Sequence, residues 1–246
     1  IVIISTLTYT LYGGLRASIF TDNIQMFVIA VLLLITISYI TLLSGDNFSF
    51  SFIKSKNPQL LSSSYIPSYT AGLTFFIAVA ATNLFHQGNW QRVYAAKNYE
   101  TLKKGLIISF LIIVPIVFLM GFIGMVSFSI DPTNRPDLGF FTLLLKEQTE
   151  LLSLLIIVLG LALTISTVDT LVNAISSLFV VDGKATFNFN KKTDYLKLSK
   201  YFIIAISIVV FFVASKGFDI LYLFLLADLF CCSFVLTVFY SFYNKK

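Results

Sequence analysis

Apolar residues run through this chain in seven stretches separated by short polar breaks, at 1–12, 22–43, 67–90, 105–130, 151–181, 199–215 and 220–243. About 17–25 apolar residues in a helix cross the roughly 30 Å of hydrocarbon in a bilayer. Runs this long and uninterrupted predict helices, because in lipid every backbone N–H and C=O must be paired internally and a helix does so within itself. The first run, Ile1 to Tyr12, reads as the tail of a helix that Gly13-Gly14 breaks. Pro115 predicts a kink in the fourth run. The fifth run is long enough to tilt or to extend past the bilayer. SGDNFSFSFIKSKNPQ and DPTNRPD are loops, the latter followed by a short amphipathic stretch to Glu150. The expectation is an all-α, polytopic transmembrane helix bundle, one transmembrane domain over 1–246 with about seven spans. No internal sequence repeat is visible.

Composition agrees. The 246 residues are 57% hydrophobic and only 12% charged, and the mean hydropathy is +0.90. A soluble domain carries about a quarter charged residues, so this chain has too little polar surface to cover a globule in water. A lipid bilayer is the expected partner. The net charge of +5 is small for a nucleic-acid binder, and no nucleic-acid partner is expected. Cys231 and Cys232 are adjacent in an apolar run, where they read as packing residues. The chain begins inside an apolar run with neither Met nor a basic leader, which reads as a fragment or a processed piece.

The basic residues fall unevenly when the loops are numbered alternately. Twelve of the seventeen, Arg16, Arg92, Lys97, Lys103, Lys104, Lys184, Lys191, Lys192, Lys197, Lys200, Lys245 and Lys246, fall on one side. Lys54, Lys56, Arg135, Lys146 and Lys216 fall on the other. The Gly13-Gly14 loop, the 91–104 and 181–200 loops and the C-terminus are therefore expected to be cytoplasmic, in the plasma (cytoplasmic) membrane.

Polar groups inside such runs need a reason, since an ionised carboxylate at a helix centre costs roughly 2.5–3.5 kcal/mol on insertion scales. In LALTISTVDTLVNAISS, Asp169, Thr170, Asn173 and Ser177 follow Ser166 at helical spacing, on one stripe. Oxygens around a carboxylate suit a hard cation such as sodium. The alternative is that the hydroxyls bond back to the preceding turn and hold helices together. Asp22, in TDNIQ, either caps the start of the second helix with Thr21 or belongs to a cation site near the inner mouth. In AATNLFHQGNWQR, Asn83, His86, Gln87 and Gln91 share a stripe, and Gly88 with this polar density predicts a weakened or broken helix that could expose ligand-binding backbone. His86 is the only histidine, open to a structural or a relay role. Arg92 and Lys97 are expected to end that helix at the cytoplasmic surface. Asp228, in LLADLF, is a further carboxylate for which the sequence names no partner.

Three stretches carry a family resemblance. YTLYGGLRASIFTDNIQ resembles the Gly-Gly-Leu-x-Ala-x-x-x-Thr-Asp-x-x-Gln signature of the sodium:solute symporter family, which includes sodium–proline, sodium–sugar and urea transporters. NLFHQGNWQRVYAAKN resembles its Gln-x-x-x-Gln-Arg-x-x-Ala-Ala-Lys segment, and STVDTLVNAISSLFVVD its Ser-Thr-x-Asp-Ser segment. The resemblance implies a leucine-transporter-type inverted-repeat fold, incomplete here, with core helices four (partial) to ten. It implies sodium binding at Ser166 and Thr167 with the Leu163 carbonyl, and at Asp22 on the sodium route. Asp169, on the same stripe, joins this expected set. Solute contacts are implied at Thr82 and Asn83, and His86 and Gln87 continue that segment.

The expected function is sodium-coupled secondary active symport of a small polar solute, with sodium as coupling ion and no cofactor. The sugar-type aromatic residues are absent at the solute segment, and the His-Gln-x-x-Trp-Gln-Arg form leans toward urea-like solutes. The missing helices of the same protein are an expected partner, since the first core helix would supply half of each site. The alternatives are a transporter-like sensor domain of a signalling protein and an inactive truncated copy. An enzyme is not expected: the sequence offers no nucleophile–base pair, glycine-rich phosphate loop or metal cluster.

Overall fold

A computed structural model of the chain describes residues 2–133, 135–145, 149–186 and 194–243. Among these residues the chain forms nine α-helices and no strand. They are α1 (Val2–Ser44), α2 (Phe50–Lys56), α3 (Ile66–Phe85), α4 (Gln87–Ala95), α5 (Tyr99–Ile130), α6 (Gly139–Leu144), α7 (Glu150–Thr186), α8 (Tyr195–Ala214) and α9 (Ile220–Tyr243). Six helical segments, in α1, α3, α5, α7, α8 and α9, are long and apolar enough to cross a membrane. Large apolar side chains such as Phe110 and Leu111 of α5, Phe211 of α8 and Leu236 of α9 are exposed, which is stable where the solvent is lipid. The protein is a polytopic, all-helical membrane protein.

The first two apolar runs fuse into α1. The break between them is one residue long: Gly14 has φ 56° and ψ −148°, a conformation open to a residue without Cβ. A Cβ on its neighbour Gly13 would collide with that of Ala17. Arg16, expected in a loop, and Asp22, considered as a helix cap, both sit inside the helix that continues after Gly14. The capping role for Asp22 is therefore not what the fold uses. The third run does break, at His86, which separates α3 from α4. Pro115 lies inside α5, which continues on both sides of it. Of the basic residues used for orientation, Lys146, Lys191, Lys192, Lys245 and Lys246 and the side chain of Lys184 lie outside the described residues.

The chain divides into two compact units, one of Ile1–Leu32, Phe85–Tyr94 and Ile156–Phe224, the other of Leu33–Leu84, Ala95–Leu155 and Leu225–Lys246. In the second, the expected 45–66 loop contains α2, whose Ile53 is fully buried. Phe48 and Phe50 bring their rings to 4.9 and 4.7 Å from that of Phe122 on α5. A Cβ on Gly139 of α6 would stand only 3.0 Å from Gly124 Cα and from Ser127 Cβ, so α6 crosses α5 where the side chains are smallest. Ile123 and Val126 of α5 and Leu144 of α6 are fully buried.

The first unit is held by polar contacts as much as by apolar ones. The rings of Phe179 on α7 and Phe202 on α8 stack at 4.5 Å. Asp194 starts α8 by accepting from the backbone N–H groups of Leu196 and Lys197 at 3.1 and 3.2 Å. The rest of its polar content converges on α7.

Candidate functional site

Four of the five residues of the α7 stripe turn toward α1 and α4. Asp169 is fully buried. Its Oδ1 accepts from Thr10 Oγ1 at 2.9 Å and from Asn173 Nδ2 at 2.8 Å, and its Oδ2 from Thr21 Oγ1 at 3.2 Å. Three neutral donors from two helices thus replace the water the carboxylate gave up. In a straight helix the two threonines would stand about 16 Å apart along the axis, so the non-helical Gly14 between them is what lets both reach one carboxylate.

One turn toward the N-terminus of α7, Ser166 Oγ donates to Asp22 Oδ1 at 2.9 Å. The other oxygen of Asp22 is ion-paired with Arg92 of α4. Arg92 Nη2 also donates to Thr170 Oγ1 at 2.9 Å, and Nη1 to the Gly88 carbonyl at 3.1 Å. Asp22 and Arg92 are partly buried, which strengthens their pairing relative to a fully exposed pair. Gln91 Nε2 adds a bond to the Asn173 carbonyl at 3.1 Å. The approach of α4 to α7 requires Gly88: a Cβ there would lie 2.5 Å from Thr170 Cγ2 and 2.9 Å from His86 Cε1. Asp22, Ser166, Thr170 and Arg92 therefore form one network across α1, α7 and α4.

A crevice of about 330 Å³ adjoins the Asp169 end of this network. Thr10, the Gly13-Gly14 break, Asn173, Ser176, Ser199 and Lys200 line it. The Lys200 ammonium stands 5.7 Å above the Tyr12 ring.

The remaining expected residues are placed as follows. Thr167 Oγ1 donates to the Leu163 carbonyl at 2.9 Å, on an exposed face of α7. Ser166 and Thr167 thus diverge, as consecutive helix residues about 100° apart must. Back-bonding, one of the two alternatives for the stripe, describes Thr167 and Ser177, whose hydroxyl donates to the Ala174 carbonyl at 3.0 Å. Bonding to carboxylates or to Arg92 describes Ser166, Thr170 and Asn173. His86 sits at the α3–α4 break with a buried Nδ1 that has no hydrogen-bond partner, and Gln87 opens α4. In the other unit, Asn83 Nδ2 donates to the Val79 carbonyl at 2.8 Å, and Thr82 Oγ1 is hydrogen-bonded to Asp228 Oδ1.

Arg92, Thr10 and Thr21 are the functional neighbours that the sequence did not announce. Arg92 lies in the last turn of α4, close to where the helix was expected to end, and its pairing with Asp22 is a contact the sequence did not predict. A carboxylate inside one apolar run and a guanidinium just past the end of another are the one signal that could have paired them. Asp228 gains the partner it lacked, Thr82.

Similarity to known proteins completes the picture. The chain is 26% identical over 238 residues to the "Spermidine transporter DUR31" of Candida albicans (strain SC5314 / ATCC MYA-2876), an alignment covering 95% of this chain and 44% of that protein. The chain thus spans less than half the length of this relative. No solved structure matches it. The family model "Sodium:solute symporter family" matches residues 1–246. With its three sequence motifs resting on helices of a polytopic membrane protein, the chain belongs to the sodium:solute symporter family.

Proposed function

We propose that the chain carries the ion- and solute-handling segment of a sodium-coupled symporter for a small polar solute. It would work in the plasma membrane, with the 91–104 and 181–200 segments cytoplasmic and the inverted-repeat arrangement of the leucine-transporter type. The observation that carries this reading is the Asp22 carboxylate, bridged to Ser166 and Arg92 inside an apolar protein.

Sodium is a hard cation that takes oxygen ligands. Asp22 supplies charge and Ser166 a hydroxyl. Thr167 Oγ1 and the Leu163 carbonyl, 2.9 Å apart, are two further oxygens of the right kind. The fully bonded Asp169 adds negative potential and fixes Thr10 and Thr21 beside the route. In this arrangement Arg92 is a tethered cation on Asp22. A sodium ion arriving there has to displace it, and displacement frees α4 from Asp22 while Gly88 and Thr170 still seat it on α7. An ion that favours one arrangement over the other by its binding energy is all that coupling requires. By the resemblance, the residues expected to contact the solute are Thr82 and Asn83 near the end of α3 and His86 and Gln87 just after it. The similarity to a spermidine transporter brings amines onto the solute panel beside urea-like compounds.

The test is uptake by the full-length protein over a panel of urea, amino acids and polyamines, with sodium replaced by choline. Uptake should fall by an order of magnitude or more for the true solute; uptake indifferent to the replacement across the panel would refute sodium coupling. Ser166→Ala with Thr167→Ala should raise the half-saturating sodium concentration sharply, whereas Arg92→Gln, which removes the competing cation, should lower it severalfold.

A further inference from the structure

We propose that Asp228, with Thr82 of the expected solute segment, takes a small positively charged group: the coupling sodium ion or the protonated amine of a solute. The proposal rests on the transport reading only for what brings the ligand there; the site itself rests on geometry.

Asp228 is the one charged residue of α9, and α3 has none. Its side chain is 2% exposed. Oδ1 meets the Thr82 hydroxyl, while Oδ2 is buried with no hydrogen-bond partner among the described residues. Even the Thr82 contact is divided. Thr82 Oγ1 also lies 3.0 Å from the Ala78 carbonyl, and a hydroxyl has one proton to give to two acceptors. Asp228 thus holds at most one neutral, shared donor, where Asp169 holds Thr10 and Asn173 on Oδ1 and, on Oδ2, a Thr21 hydroxyl shared with the Ala17 and Ser18 carbonyls. A buried carboxylate left in that state carries a desolvation cost that neighbouring protein groups do not return. Neither helix offers Lys, Arg or His to return it. An unpaired carboxylate oxygen beside a hydroxyl oxygen, in apolar surroundings, is a receptor for a cation that arrives and leaves. Sodium and an ammonium group share the chemistry it selects, attraction to two oxygens and a formal negative charge.

The experiment is direct binding to the purified full-length protein, with radioactive sodium ion and labelled spermidine as the two probes and labelled urea as the uncharged control. Asp228→Asn keeps the shape and a hydrogen bond to Thr82 but removes the charge. Spermidine affinity weakened about tenfold to a hundredfold, with sodium and urea unchanged, assigns the site to the amine; the range is that of one charge-assisted hydrogen bond lost. Sodium affinity weakened by the same factor assigns it to the ion. Wild-type affinities in Asp228→Asn for both cations overturn the proposal, as would happen if a basic residue elsewhere in the full-length protein already neutralises Asp228. Absence of binding of either cation to the wild type overturns it too. If Asp228→Asn does not reach the membrane, Thr82→Ala decides. It keeps the charge and removes one oxygen, and it should weaken the same cation severalfold; unchanged affinities for both cations sink the idea. Loss of sodium-dependent uptake in a protein that still binds the cation through Asp228 would count against the transport reading alone.

Discussion

Asp169 and Asp228 are both aspartates near zero exposure, each on an apolar helix and each touched by a threonine. Their surroundings differ in one respect. Asp169 receives Thr10 and Asn173 on Oδ1, and on Oδ2 a Thr21 hydroxyl that it shares with the Ala17 and Ser18 carbonyls. Among the described residues, Asp228 receives Thr82 on one oxygen and no donor on the other. The number of donors, not the depth of burial, separates a carboxylate that ties helices together from one that waits for a charge. Asp22 stands between the two: its second oxygen is filled, but by the cation Arg92 rather than by neutral donors.

The largest expected effect breaks the first half of that comparison. Asp169→Ala leaves Thr10, Thr21 and Asn173 without their shared acceptor in a dry place. Hydrogen bonds between membrane helices are worth about 0.6–1.7 kcal/mol each, and bonds to a charge somewhat more. The full-length protein should lose about 2–5 kcal/mol of stability, read by denaturant unfolding in detergent. Asp228→Ala, which relieves an underpaired carboxylate, should cost less than Asp169→Ala; the reverse order would show that donor count does not govern these sites.

Next comes the packing that brings Arg92 to Asp22. Gly88→Ala places a methyl group 2.5 Å from Thr170 Cγ2, so α4 and α7 must separate or Thr170 must turn. Overpacking of this kind costs about 1–3 kcal/mol. Thr170→Ser removes the offending methyl group and keeps the hydroxyl that Arg92 reaches. The double variant should recover most of the loss. No recovery would mean that the contact with His86 is the one that matters.

Much of this was legible in the sequence because hydrophobic periodicity and helical spacing are local. Apolar runs, a weakened helix near Gly88 and a stripe from Ser166 to Ser177 follow from residues a few positions apart; the structure has six segments of spanning length where seven were expected, puts the break at His86 and turns Ser177 back to its own helix. Partners 70 to 160 positions apart do not, and that is where the reading fell short. The contact of Ser166 with Asp22 joins residues 144 positions apart, and no local pattern announces it. Arg92 reads locally as a residue that ends its helix, and it does lie in the last turn of α4; its pairing with Asp22 comes only with the tertiary fold. The Gly13-Gly14 break reads as a loop, but a single positive φ at Gly14 is enough, so the helix resumes at once and carries Asp22 inside it.

A pair of matched substitutions sharpens the contrast at smaller scale. Thr10→Val removes one of the two donors on Asp169 Oδ1 and leaves Asn173 in place. It should cost about 1 kcal/mol, the usual net value of one hydrogen bond. Thr82→Val strips from Asp228 the one donor the structure gives it. It should weaken cation binding more than Thr10→Val does, while changing stability by a similar amount. Equal effects of the two on sodium and spermidine affinity would erase the distinction between the sites.

The same Thr–Asp chemistry also occurs in water, which sets the lower end of the scale. Asp131, just past the C-terminus of α5, is fully exposed, and Thr133 donates to its Oδ1 through its hydroxyl at 2.7 Å and its backbone N–H at 2.9 Å. The hydroxyl, and after it the N–H, hold the Asp131 carboxyl below its ordinary value. A depressed folded pKa favours the folded state at pH above the unfolded value, and that contribution disappears as pH falls through the folded one. Thr133→Ala removes the larger cause and leaves the N–H, so the Asp131 titration should move part of the way back up. Carbon-13 NMR of labelled aspartate carboxyls reads this directly, with global stability at neutral pH little changed. A titration unmoved by Thr133→Ala would show that water has already replaced the hydroxyl. The hydroxyl bonds to Asp169 and Asp228 would then derive their importance from burial alone.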